Sequence, residues 1–259
     1  MRSYAFVLQY NEMKENKYDN PLFFYKYSQM QRSVIGLEGA GEWNFFKLML
    51  PDFKDRRVLD LGCGFGWHCA YAAEQGAVSV TGIDISEKML EKAKSLTSAY
   101  NITYRCIPIE DYEYPENSFE TVMSSLAFHY IKSFDDICKK VHQCLADGGD
   151  FVFSVEHPVF TAQGSQEWVC DDEGNPLHWP VDHYFNIGER AARFLEEDVI
   201  KYHRTVTAYV NGLLSCGFEI TGFCEHMPPD ELFDIPGMKD ELRRPMMLII
   251  SAKKRKKQP

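Results

Sequence analysis

The sequence has no pair of cysteines at CxxC spacing, although it carries eight cysteines in 259 residues. That excludes a zinc ribbon and a thioredoxin-like dithiol. No apolar run approaches the ~20 residues needed to cross a bilayer, so no membrane-spanning helix is expected. The first residues, MRSYAFVLQYNEMKENKYDN, lack the basic start and long apolar core of a secretory leader. Positive charge is scarce: 28 Lys and Arg stand against 38 Asp and Glu, a net charge of -10. Such a surface repels phosphate backbones, which argues against nucleic acid as a partner. The one basic run, Lys253-Lys254-Arg255-Lys256-Lys257, follows a strand-like segment and reads as a solvated terminus. His157, His178, His183 and His203 include no pair at helical metal-ligand spacing, so no metal is expected. Internal repeats and low-complexity linkers are also missing. These absences point to a cytoplasmic globular protein with reduced cysteines.

What is there begins at Val58. Val58-Leu59-Asp60-Leu61 is a short apolar run that ends in glycines and reads as a buried strand. An Ala-rich helix is expected over 66–75, stopped by Gly76. Val78–Ile83 is a second strand, and Ser86 caps a helix whose Met89, Leu90, Ala93 and Leu96 share a face. Ile102–Ile107 and Phe119–Leu126 are further strands. Ser133 and Asp136 resemble a capping box, and Gly148-Gly149 leads into a fifth strand, Phe151–Val155. Alternation of this kind predicts an α/β fold: a doubly wound, seven-stranded sheet with helices on both faces. It is mostly parallel, because the last strands, Phe218–Cys224 and Met246–Ala252, are joined without a crossover helix. Their pairing is expected to be antiparallel.

From Glu156 to Glu197 the periodicity is lost, and Trp168, Trp179, Tyr184 and Phe185 gather there. A long irregular aromatic segment reads as a lid over a substrate. Val199–Ser215 is then expected to be a helix. The chain divides into an N-terminal helical cap (1–56), a core (57–156 and 198–259) and an inserted lid (157–197).

Two acids sit at the mouth of the expected sheet. Asp60 lies in Asp60-Leu61-Gly62-Cys63-Gly64-Phe65-Gly66, where glycines let a ligand approach the backbone. A dinucleotide fingerprint would need glycine at Trp67, so a nicotinamide-dependent oxidoreductase is the weaker reading. An acid inside the loop suits a ligand that carries an ammonium group. Asp84 ends the second strand, where a carboxylate commonly accepts two ribose hydroxyls.

These segments, VLDLGCGFGWH, VTGIDISEKMLEKAK, YPENSFETVMSSLAFHYI and LADGGDFVFSVEHP, together resemble the class I S-adenosylmethionine-dependent methyltransferases. The resemblance is closest to the small-molecule, ubiquinone-type branch. It implies a Rossmann-like methyltransferase fold, S-adenosyl-L-methionine as cofactor and S-adenosyl-L-homocysteine as product. By position, Asp60, Gly62 and Gly64 would face the methionine part, Asp84 the ribose and Ile85 the adenine. The family's acid for the adenine amino group falls on Pro108, so Glu110 or Asp111 takes that role. Ser124 would offer its backbone carbonyl to the methionine amino group. Tyr27 and Arg32, in a helix over 23–32, would meet its carboxylate.

The reaction implied is in-line transfer of a methyl group to a small-molecule acceptor. The protein's task is then mainly to align the groups and exclude water. His129 and His157 follow the fourth and fifth strands and are the candidates for orienting or deprotonating the acceptor. A non-catalytic S-adenosylmethionine sensor is the competing reading. The aromatic insert favours an enzyme, because a sensor needs no second pocket.

Overall fold

The structure is a computed structural model that describes residue 14, residues 16–228 and residues 230–256. Residues 1–13, read above for a leader, and Lys257 of the basic run lie outside the described residues. Among the described residues three α-helices precede the first strand: α1 (Pro21–Ser28), α2 (Gln31–Val34) and α3 (Trp43–Met49). Asn20 caps α1 by accepting the Leu22 and Phe23 N–H groups, and Pro21 sits where its missing N–H is not needed. The helix expected over 23–32 is broken at Met30, whose extended backbone separates α1 from α2.

The alternating core follows as β1 (Arg57–Leu61), α4 (Trp67–Glu74), β2 (Ser79–Asp84), α5 (Glu87–Leu96), β3 (Ile102–Cys106), β4 (Phe119–Ser125), α6 (Phe134–Cys144) and β5 (Leu145–Glu156). β1 and β4 are buried on both faces, which is why they read as near-continuous apolar runs. α5 buries Met89, Leu90 and Ala93, and the Ser86 hydroxyl accepts the Met89 N–H at 3.1 Å as its cap. At Ser133 the hydroxyl instead donates to the Asp136 carboxylate at 2.7 Å, and no side chain caps α6. β5 begins at Leu145, earlier than expected, because Leu145 pairs with Phe119 and a register shift absorbs Gly148-Gly149 into the strand.

Beyond β5 lie α7 (Pro158–Thr161), β6 (Val169–Cys170), β7 (Pro176–His178), β8 (Gly188–Phe194), β9 (Glu197–His203), α8 (Val206–Ser215), β10 (Phe218–Cys224) and β11 (Met247–Lys254). The sheet has seven strands in the order β10-β11-β5-β4-β1-β2-β3, and β11 runs antiparallel to β5 and β10. From β1 the chain winds outward through β2 and β3, then returns to β4 on the other side. The switch point therefore lies at the carboxyl ends of β1 and β4.

The helix expected over Val199–Ser215 is shorter than its sequence implies. Val199, Lys201 and His203 are buried while Asp198 is exposed and Ile200 and Tyr202 are half-buried. That period of two belongs to a strand. β9 pairs with β8 in a hairpin outside the main sheet, turned at Leu195 and Glu196, both at positive φ. α8 starts only after Thr205, whose hydroxyl accepts the Ala208 N–H. The lid boundary expected at residue 197 thus falls inside a hairpin. The basic tail is also partly structural: Lys253 and Lys254 belong to β11, and Lys254 Nζ is buried against the Leu145 carbonyl at 2.7 Å.

Candidate active site

A cavity of about 440 Å³ opens over the carboxyl ends of the parallel strands. One end is made by the glycine loop and β2. Gly62, Gly64 and Gly66 all lie at positive φ, and a Cβ on Gly62 would come within 2.5 Å of the Ala127 Cβ. The loop therefore passes close to the segment after β4, and only glycine fits. Beside it, Asp84 Oδ2 accepts the Gly64 N–H and Oδ1 the Ser86 N–H, both at 2.9 Å. Each oxygen keeps a lone pair for a further donor, so the carboxylate can grip two neighbouring hydroxyls. Burial pushes its pKa up to about 6 against the pull of those amides.

Ile85, Met89, Pro108, Ile109 and Glu110 continue this wall as a largely apolar slot. Of the two acids expected here, Glu110 reaches the cavity. Asp111 does not line it: its side chain is 59% exposed and pairs with Lys14 at 2.5 Å.

Asp60 and Ser124 do not line the cavity either. Asp60 is buried beneath the loop, where Cys69 Sγ donates to its carboxyl at 3.3 Å. Burial pushes its pKa up to about 7; the Cys69 bond opposes this and Asp84 adds to it. Ser124 Oγ donates to the Leu61 carbonyl at 2.7 Å and ties β4 to β1. The next residue, Ser125, faces the cavity instead.

Tyr27 and Arg32 line both this cavity and a smaller one of about 70 Å³ behind the glycine loop. Arg32 Nη2 lies 2.8 and 2.6 Å from the two oxygens of the buried Glu42. Burial works to raise the Glu42 pKa, but Arg32 outweighs it and holds the carboxylate ionised. Ser33 Oγ and Trp67 Nε1 line the smaller cavity and are buried without hydrogen-bond partners among the described residues. Orphaned donors beside a guanidinium fit a carboxylate.

At the other end stand His129, Glu156, Gln166 and Lys201. His129 is 3% exposed, and burial pushes its pKa down to about 4. Its Nδ1 accepts the Glu156 N–H over a long 3.5 Å, so the neutral ring carries its proton on Nε2. Arg204 holds this loop in place by donating to the carbonyls of Phe128, Ile131 and Lys132. Lys201 Nζ is 2.6 Å from Glu156 Oε1 and 2.9 Å from Gln166 Oε1, while Gln166 donates to Glu156 Oε2 at 2.8 Å. Burial alone would raise the Glu156 pKa; His129, Lys201 and Gln166 together lower it.

His157 is placed differently. It does not line the cavity. Its Nδ1 accepts the Val159 N–H at 3.0 Å as the cap of α7, and its Nε2 lies 2.7 Å from Glu225. Both nitrogens are occupied in shaping the chain's exit from β5. Glu156, Gln166 and Lys201 were missed by sequence reasoning. Glu156 could have been found as the last residue of a parallel strand. Lys201 was hidden by reading β9 as helix, and Gln166 carries no signal.

Residues 59–153 match the methyltransferase domain family. The structure resembles that of a Listeria monocytogenes chain assigned to the S-adenosylmethionine-dependent methyltransferases, at 58% identity and a TM-score of 0.82 over 85% of this chain and 100% of that one. It resembles an S-adenosylmethionine-dependent methyltransferase of Mesorhizobium loti at 41% identity and 0.78, over 84% and 100%. An uncharacterised Haemophilus influenzae protein is 35% identical over 93% of this chain and 98% of its own. More distant relatives include an N-demethylindolmycin N-methyltransferase of Streptomyces griseus, 29% identical over 66% of this chain, and tRNA U34 carboxymethyltransferases. Because the likeness to the Listeria and Mesorhizobium proteins spans the whole of each, the chain belongs to the S-adenosylmethionine-dependent methyltransferases, and S-adenosylmethionine is its cofactor.

Proposed function

We propose that the protein methylates a small organic molecule held between the sheet and the β8–β9 hairpin. The observation that carries this reading is the continuity of the main cavity. It runs from Asp84 and the glycine loop to His129, Glu156 and Lys201, with Phe160, Phe194 and Val199 in its wall. A pocket with apolar walls and a few convergent polar groups suits a small ligand. The net charge of -10 disfavours a polyanion such as tRNA, and the Streptomyces relative is named for a small acceptor.

When bound, the cofactor supplies a methyl group already activated on a positively charged sulfur. Asp84 holds the ribose, Ile85 and Ile109 pack the adenine, and Glu110 accepts from its amino group. Ser33 and Trp67 receive the methionine end through the orphaned donors described above, beside Tyr27 and Arg32. Residues 16–56 serve as the cap on this side, and residues 157–203 cover the acceptor. No helix among the described residues is long and apolar enough to cross a membrane, and the free thiols fit a cytoplasmic setting.

His129 orients the acceptor rather than deprotonating it. A base whose pKa is held at about 4 is weak at neutral pH, whereas its Nε2–H remains a good donor. The apolar wall excludes water, which matters because charge is dispersed as the methyl group moves. The test is incubation with methyl-labelled cofactor and fractionated metabolites, followed by mass spectrometry. Label in a small product is the expected result. Label confined to tRNA overturns the reading.

A further inference from the structure

We infer that the acceptor carries an oxyanion, a carboxylate on an apolar body, and that Lys201 is the residue that selects it. This rests on the small-molecule reading above. Lys201 is 2% exposed and lines the cavity. An ammonium group has three N–H donors. Two are used on Glu156 and Gln166; among the described residues the third has no hydrogen-bond partner, and the Phe194 ring lies 5.4 Å from Nζ. The nearby acceptors already take one bond each: Glu156 Oε1 from Lys201, Glu156 Oε2 from Gln166, and Gln166 Oε1 from Lys201. His129 Nδ1 is taken by a backbone N–H, which leaves Nε2–H. This end of the cavity therefore presents two spare donors, one of them on a cation.

Charge points the same way. Lys201 is matched by Glu156, but Arg193 also lines the cavity. Its acidic neighbour Glu196 already pairs with Lys26 at 2.5 Å. The cationic side chains at this end are thus the buried Lys201, paired with Glu156, and the exposed Arg193, which stands across the hairpin from Asp198. Phe160, Phe194, Val199, Met246 and Met247 supply the apolar wall for the rest of the molecule. An amine acceptor would meet Lys201 and Arg193 as like charges. A neutral amide would offer the ammonium a carbonyl acceptor but no opposite charge.

The experiment uses the full chain saturated with S-adenosylhomocysteine. Benzoate and 3-phenylpropionate are titrated against their amides and the matching amines, benzylamine and 3-phenylpropylamine, by calorimetry. The carboxylates should bind ~10-fold or more tighter than the amides, the scale of one charged hydrogen bond. Lys201→Met should abolish that preference. Because this change strands Glu156, the double variant Lys201→Met/Glu156→Gln is measured alongside it, with S-adenosylhomocysteine affinity as the check on folding. Loss of the preference in the double variant, with cofactor affinity kept, supports the assignment. Equal binding of acids and amides by the wild-type protein, tighter binding of amines, or a preference that survives in the double variant overturns it. If no compound of any class binds while labelled methyl groups enter tRNA, the small-molecule reading itself is overturned, and that outcome is distinct.

Discussion

The two ends of the cavity are built differently. At the cofactor end, the contacts come from residues close in sequence to a strand end: Asp84 meets Gly64, 20 positions away, and Ser86, two away. At the acceptor end, the contacts join distant segments. Glu156 and Lys201 are 45 positions apart, and Arg204 and Phe128 76. The first end is a property of the sheet and its turns. The second exists only once the hairpin has docked, so changes there should alter acceptor chemistry and local stability before they touch the cofactor.

The sharpest way to break this comparison is Lys201→Met. Removing one partner of a buried ion pair typically costs ~3–5 kcal/mol, and Lys201 is 2% exposed. Urea unfolding should show a loss of that order. S-adenosylhomocysteine affinity, measured on the folded protein, should stay within about twofold. If affinity falls in step with stability, the two ends form one cooperative unit and the contrast fails.

His129 belongs to the acceptor end, and its titration gives the next largest effect. Its pKa is held at about 4 in the folded chain, against ~6.5 when unfolded. Its contribution to stability is therefore complete above pH ~6.5 and declines as the pH falls from there to about 4, because the unfolded chain takes up the proton first. Between those limits the wild type should lose roughly 3 kcal/mol more than His129→Asn. Urea midpoints at several pH values measure this. Parallel profiles for the two proteins would mean that the ring is not shielded from water.

Asp84→Ala tests the cofactor end alone. A charged hydrogen bond contributes ~1.5–3 kcal/mol, so affinity for S-adenosylhomocysteine should drop ~10- to 100-fold. Binding of an acceptor carboxylate to whatever protein remains saturated should not change. Unaltered cofactor affinity in calorimetry would remove Asp84 from the ribose.

The smallest expected change is at Thr205, the cap of α8 next to the hairpin. Thr205→Ala should lower stability by ~1 kcal/mol without altering either ligand. A loss of acceptor binding instead would show that α8 sets the hairpin's position through more than its cap.

The legibility of the sequence follows the same division. Parallel strands buried on both faces announce themselves as apolar runs, and the glycines at 62 and 64 and the acid at 84 follow them at once. The seven-stranded sheet, its antiparallel last strand and a carboxylate at the cavity wall after β2 were therefore all readable. Errors arose where local pattern is ambiguous. Val199 to Ser215 contains apolar residues that suit either period, and only pairing with β8 made its first part a strand. Asp111 and His157 had suitable chemistry at suitable sequence positions, but the structure gives their side chains other partners, Lys14 for one and Val159 and Glu225 for the other.

By itself the sequence determined the winding of the sheet, the turn after β1 and the carboxylate after β2, because each depends on short-range backbone conformation and burial on a regular element. Tertiary structure alone decided which of the acids and histidines face the cavity, that Arg32 is held by Glu42, and that Glu156, Gln166 and Lys201 meet. Those outcomes depend on which distant segments pack together, and a buried charge can be placed only where its partner is also delivered.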